Sequence, residues 1–221
     1  MPCTTDRPGR VWLTGALAGA AVGGLLAVVA VVSSPAQAVG GIPTPCDDNV
    51  TLRLDDVTYD LQGTCGTVRV EADDTVVNLP ATQKLVVLGH GNTVHGKTID
   101  QLVVKGRGQR VEAASVRDAD VASKHSTVAV DGLVEELLLA RRGSTVTADQ
   151  VTDAVVRGRG HALHARRGYD ARVPGDANRV RYRRLDAVAV GGDDNRVVVR
   201  RGATQVRDAG SHNAIRVHRR G

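Results

Sequence analysis

Leu102-Val103-Val104-Lys105-Gly106-Arg107-Gly108-Gln109-Arg110-Val111-Glu112-Ala113-Ala114-Ser115-Val116 is the stretch that decides the fold. Leu102 and Val104 alternate with Val103 and Lys105, and Val111 and Ala113 alternate with Arg110 and Glu112. A period of two marks a strand with one face turned inward. Gly106 and Gly108 separate the two runs, where a tight corner needs positive φ. The phrase returns along the chain, its apolar marker falling at Val76, Val94, Val111, Val128, Val146, Leu163, Val180, Val197 and Ile215. The steps are 18, 17, 17, 18, 17, 17, 17 and 18 residues. Such a period is too long for a heptad and too short for most helical repeats, and it suits one coil of a stacked solenoid. The expected fold is all-β: a single-chain parallel β-solenoid, or β-helix, of about nine rungs with 17–18 residues each. At about 4.8 Å per rung it would be a rod roughly 40–45 Å long.

Five apolar columns can be read down the rungs. One runs Leu85, Leu102, Ala119, Leu137, Ala154, Ala171, Val188, Val206, and a second Val87, Val104, Val121, Leu139, Val156, Val173, Val190. The markers are the third. The fourth is Ala113, Val130, Ala148, Ala165, Tyr182, Val199, Val217, and a weaker fifth is Ile99, Val116, Leu133, Val151, Leu185. Just after the glycine corner stands Asn92, Asn178, Asn195 or Asn213, or a Ser, Gln or His in their place. Asn tolerates left-handed backbone geometry and can bond the local main chain, and a stacked column of it can form an amide ladder.

Residues 1–38 read as a signal peptide. Arg7 and Arg10 precede an apolar run from Val11 to Val32, and Ala36-Gln37-Ala38 offers a cleavage site. The run is also long enough to span a bilayer, so an uncleaved membrane anchor is the competing reading. Only then would the protein contact a membrane through this segment. Cys46 and Cys65 are left, most simply as one disulfide of an exported protein. Residues 39–66 are expected to form an N-terminal cap stapled by that bridge, with the repeat domain over 67–221.

Charge is uneven. Residues 39–150 hold 11 Lys+Arg and 16 Asp+Glu, a net of −5, whereas 151–221 hold 16 Arg and 7 Asp, a net of +9. A basic half attracts polyanions. The binding candidates are Arg157, Arg159, Arg166, Arg167, Arg181, Arg183, Arg184, Arg200 and Arg201. The expected partners are anionic cell-wall polymers or lipid head groups. Nucleic acid is not expected, because export and the near-absence of aromatic stacking platforms argue against it. End-to-end self-association is a further expectation, since the last rung carries no evident cap.

Asp100, Asp118, Glu135, Asp153, Asp170 and Asp186 recur 16 to 18 apart and read as one acidic corner column. Stacked carboxylates repel. Arginines such as Arg117 and Arg172, backbone N–H groups or a cation would offset that. Asx-type turns are the plainer reading and calcium the weaker one. Otherwise no metal site is expected, because no two of the seven histidines lie a rung apart. No Gly-x-Ser-x-Gly, phosphate loop or cofactor motif is present. An enzyme acting on an anionic polysaccharide, a lyase or hydrolase, is the competing functional class. The sequence favours a scaffold, since no rung carries a long insertion to wall a cleft.

The phrase hydrophobic–x–Val–x–Gly–x–Gly–Asn–x–Val, clearest at Leu85–Val94, Leu102–Val111, Val155–Leu163 and Val188–Val197, resembles a family of secreted actinobacterial repeat proteins of unknown function. The likeness covers about residues 68–217 and departs from the pattern at Val121–Val128 and around Pro174. It implies an exported, envelope-associated β-solenoid and transfers no catalytic residue.

Overall fold

A computed structural model describes residues 40–46 and 48–218. The leader expected over residues 1–38 lies outside them. The described residues hold no helix long and apolar enough to cross a membrane. The strands are β1 (Ile42–Pro45), β2 (Asn49–Leu52), β3 (Thr58–Gln62), β4 (Cys65–Val70), β5 (Val76–Leu79), β6 (Thr82–Val87), β7 (Thr93–Val104), β8 (Arg110–Val121), β9 (Thr127–Leu139), β10 (Thr145–Val156), β11 (Ala162–Val173), β12 (Arg179–Val190), β13 (Arg196–Val199), β14 (Gln205–Asp208) and β15 (Ala214–Val217).

Every strand pairing among the described residues is parallel, and neighbours in space are one coil apart in sequence. One stack runs β1-β3-β5-β7-β8-β9-β10-β11-β12-β13-β15; in a second, β2-β4-β6 leads into β7, and β14 closes on β12. This is a parallel β-solenoid of about ten turns. From β7 to β12 each strand carries both stacks, separated by a break in pairing near its middle. The chain begins coiling before residue 67. Ile42 stacks on Tyr59 and Tyr59 on Val77, so the segment 39–66 already contributes strands to the same stack. The Cys46–Cys65 disulfide joins successive coils there.

The apolar columns form the core. Val94, Val111 and Val128 stack in register and are fully buried. The columns through Leu102 and Val104 run as expected. Valine dominates because a β-branched side chain packs well on a pleated, narrow interior. Each such burial stabilises by about 1.5–3 kcal/mol against exposure.

Two register assignments differ from the sequence reading. The first marker is Val77, which is buried and pairs with Val94; Val76 pairs outward with Thr93. The second difference arises in β9, which has 13 residues where β7, β8 and β10 to β12 have 12. Its extra residue is absorbed where the register shifts, beyond Val130. Val134, not Leu133, therefore takes the buried place between Val116 and Val151.

The corner that separates the two runs has a fixed construction. A left-handed residue comes first: Asp74, Gly91, Gly108, His125, Gly143, Gly160, Ala177, Asp194 or His212. The next residue turns inward: Thr75, Asn92, Gln109, Ser126, Ser144, His161, Asn178, Asn195 or Asn213. The left-handed position thus precedes the Asn rather than being the Asn. The inward side chain accepts the backbone N–H of its counterpart one coil earlier. Thr75 donates to Asn92 Oδ1 at 3.0 Å, Asn92 to Gln109 Oε1 at 3.1 Å and Gln109 to Ser126 Oγ at 3.0 Å. Ser144 donates to His161 Nδ1 at 3.1 Å, His161 to Asn178 Oδ1 at 2.8 Å, Asn178 to Asn195 Oδ1 at 2.9 Å and Asn195 to Asn213 Oδ1 at 2.8 Å. Side-chain amides also donate back: Asn92 to Ala72 O at 2.7 Å and Asn178 to Gly158 O at 3.0 Å. The ladder therefore links side chain to main chain, satisfying backbone groups that the turn leaves without sheet partners. The step from Ser126 to Ser144 lacks this bond among the described residues, and Ser144 Oγ instead donates to Ser123 O at 3.2 Å.

Candidate anion-binding groove

Outward positions on β11 and β12 carry the basic residues. His164 and Arg181 are register partners, as are Arg167 and Arg184. Beyond β13 the chain turns so that Arg200 N donates to Tyr182 O at 3.1 Å and Arg201 N to Arg183 O at 2.8 Å. This stacks Arg200 and Arg201 on the end of the arginine columns. The result is an open groove of about 760 Å³ lined by Arg166, Arg181, Arg183, Arg200 and Arg201, with Asp131, Asp149 and His164. Ala148, Ala165 and the edge of Tyr182 contribute its floor.

Asp149 is the groove's one paired carboxylate. Its two oxygens meet Arg166 Nη1 and Arg167 Nη2, each at 2.9 Å. The hydrogen bond from Arg167, reinforced by the charge of Arg166, holds its carboxyl below the usual aspartate range. Arg181, Arg183, Arg184, Arg200 and Arg201 make no ion pair among the described residues. Their field is felt locally: partial burial and then the Arg181 charge push the His164 pKa down. Tyr182 is buried beneath, its hydroxyl without a partner and its pKa raised by desolvation and by Asp153 and Asp170.

The nine sequence-predicted arginines do not form one surface. Arg166, Arg181, Arg183, Arg200 and Arg201 share the groove, and Arg167 and Arg184 stack beside it. Arg157 lies by Pro174 and Val173, and Arg159 sits at the glycine corner, paired with Arg142.

The acidic column also resolves differently. Asp118, Glu136, Asp153 and Asp170 are register partners on successive coils, running from Gln101 to Ala187. Asp100, Glu135 and Asp186 each lie one position before that column. For Glu135 the cause is the extra residue in β9. Arg117 pairs with Asp100 at 2.7 Å and Arg172 with Asp170 at 3.2 Å. Among the described residues no three His, Cys, Asp or Glu side chains are grouped so as to hold a metal ion.

A basic column escaped the sequence reading. His90, Arg107, Lys124, Arg142 and Arg159 pair one above another at the glycine corner. Their spacings of 17, 17, 18 and 17 carry the same period as the markers. Mixed residue types hid them.

Fold and groove define an all-β parallel solenoid with a basic open face. Residues 167–212 match the model of a family described as a protein of unknown function (DUF3060). That segment holds the ladder residues Asn178 and Asn195 and, within the groove, Arg181, Arg183, Arg200 and Arg201. No curated protein matches the chain, and no solved structure does.

Proposed function

We propose that this protein is an exported, non-enzymatic scaffold of the cell envelope whose arginine groove holds an anionic wall polymer. The observation that carries the reading is the set Arg181, Arg183, Arg200 and Arg201 around one open groove, without a carboxylate partner among the described residues. Guanidinium groups present forked donors suited to phosphate and carboxylate. The disulfide is more consistent with an extracytoplasmic protein than with a cytosolic one.

A second reading, an enzyme acting on an anionic polysaccharide, draws on the presence of Asp131, Asp149 and arginines in the same groove. Against it, both Asp149 oxygens are engaged by guanidinium groups and its carboxyl is held ionised, which unsuits it as a general acid.

The test is retention of the purified protein on anionic wall polymer across a salt series, alongside a variant with Arg181, Arg183, Arg200 and Arg201 changed to Gln. The scaffold reading expects binding that weakens with salt and falls by roughly ten-fold or more in the variant, with no polymer shortened. Salt-independent retention, or unchanged binding by the variant, contradicts it; polymer cleavage establishes the enzyme.

A further inference from the structure

The glycine corner carries a second basic feature on a different column of the rung. Arg107, Lys124, Arg142 and Arg159 occupy successive coils as parallel bridge partners, and all four are exposed. At about 4.8 Å per coil the four span about 14 Å along the axis. None makes an ion pair among the described residues. Arg107, Lys124 and Arg142 line an open groove of about 770 Å³ whose other lining residues are Arg141 and His125, with no carboxylate.

The column has defined ends. Above it, His90 Nδ1 meets Asp73 Oδ1 at 3.3 Å. Below it, Gly160 N donates to Asp176 O, and the Asp176 carboxylate accepts Asp193 N at 3.0 Å. Acids at the corner of the outer coils thus accept main-chain N–H groups, whereas the middle coils replace them with cations. Like charges stacked one coil apart repel. No counterion among the described residues relieves them, so the arrangement is complementary to an external anion.

We propose that Arg107, Lys124, Arg142 and Arg159 form a binding site for a linear phosphate polymer lying along the solenoid axis. A single file of cations on a corner complements a single file of anions. Donors one coil apart can converge on one tetrahedral phosphate, which offers oxygens on several sides; a planar carboxylate offers its two oxygens to one fork. The acids at both ends make the site a short segment rather than a continuous stripe. A flat anionic bilayer would bring its charge against Asp73 and Asp176 as well, so the geometry favours a chain over a membrane. This site goes beyond the arginine groove and shares none of the groove's residues.

The experiment uses the whole protein and labelled inorganic polyphosphate of graded chain length, read by fluorescence polarisation. Affinity is expected to rise with length until the chain spans the four cations and then to level off. K124Q/R142Q should weaken binding roughly ten-fold and lower the salt dependence, while K97Q/R216Q, which removes two exposed cations outside both grooves, leaves polyphosphate binding unchanged. Both pairs are exposed, and unchanged thermal melts show that the variants are folded. The proposal is overturned if K124Q/R142Q binds as wild type does or if affinity ignores chain length. It is also overturned if phosphatidylglycerol vesicles or polygalacturonate compete better than polyphosphate. Loss of binding in R181Q/R200Q alone returns the site to the arginine groove.

Discussion

The Ser144 main-chain N–H donates to His161 Nδ1 at 3.1 Å inside the solenoid, one coil apart. The link needs an unprotonated Nδ1, so His161 is neutral with its proton on Nε2. Nε2 has no hydrogen-bond partner of good geometry. Burial pushes the pKa below the ordinary histidine value of 6.5, and backbone contacts offset this only in part. A lowered native pKa means that the unfolded chain binds the proton more readily. The stabilisation is then complete above 6.5 and is lost as pH falls through the native pKa. Urea unfolding at pH 7.5 and 5.0 should show wild type losing more stability than His161→Asn. Asn fills the same ladder position on the next two coils at Asn178 and Asn195 and does not titrate. Equal losses in both proteins would remove His161 from the account.

The ladder itself is testable at Asn178. Its Oδ1 accepts the His161 N–H and its Nδ2 donates to Gly158 O. Asn178→Ala leaves the buried His161 donor without its partner and should cost about 1–3 kcal/mol in chemical denaturation. Asp194→Asn, at the exposed left-handed neighbour of Asn195, keeps a residue type suited to that backbone and should change stability by less than about 0.5 kcal/mol.

Two glycines are required for different reasons. A Cβ at Gly175 would stand 2.0 Å from Gly158 O, so Gly175→Ala forces neighbouring coils apart. Gly160 has open space but φ of +70°, so Gly160→Ala meets only backbone strain of about 1–2 kcal/mol. Thermal melts should rank Gly175→Ala as the more damaging; the reverse order would mean that coil spacing at this corner is slack.

Reducing the Cys46–Cys65 bridge, or replacing both residues by Ala, releases a chain segment with a sequence separation of 19. Loop-closure entropy sets the expected loss at about 3 kcal/mol. A melting temperature unchanged on reduction would show that the first coils hold without it.

Much of this architecture was legible because each coil repeats its columns, so that subtraction alone aligned Val94, Val111 and Val128. The errors came where residue type failed to distinguish inward from outward. Val76 and Val77 are both valine, and only pairing with Thr93 and Val94 separates them. Leu133 and Val134, or Glu135 and Glu136, are equally ambiguous beside the extra residue of β9. The first coils were hidden because Pro43 and Pro45 mask a strand that pairs with β3. Arginine spacing showed columns but not which columns flank one groove, since that depends on how Arg200 and Arg201 turn over Tyr182 and Arg183. The cation column from Arg107 to Arg159 lay within reach of the same arithmetic.

The central claim is that one aliphatic set per coil is stacked in a dry interior. It is tested by the neighbours Thr127, exposed, and Val128, fully buried between Val111 and Val146. Circular dichroism with urea unfolding should find Thr127→Asp folded and within about 1 kcal/mol of wild type, because its partner across the coil is the outward Arg110. Val128→Asp should lose more than about 4 kcal/mol or fail to fold, having no partner for a buried charge. A Val128→Asp protein as stable as wild type would contradict the stacked core and everything built on it.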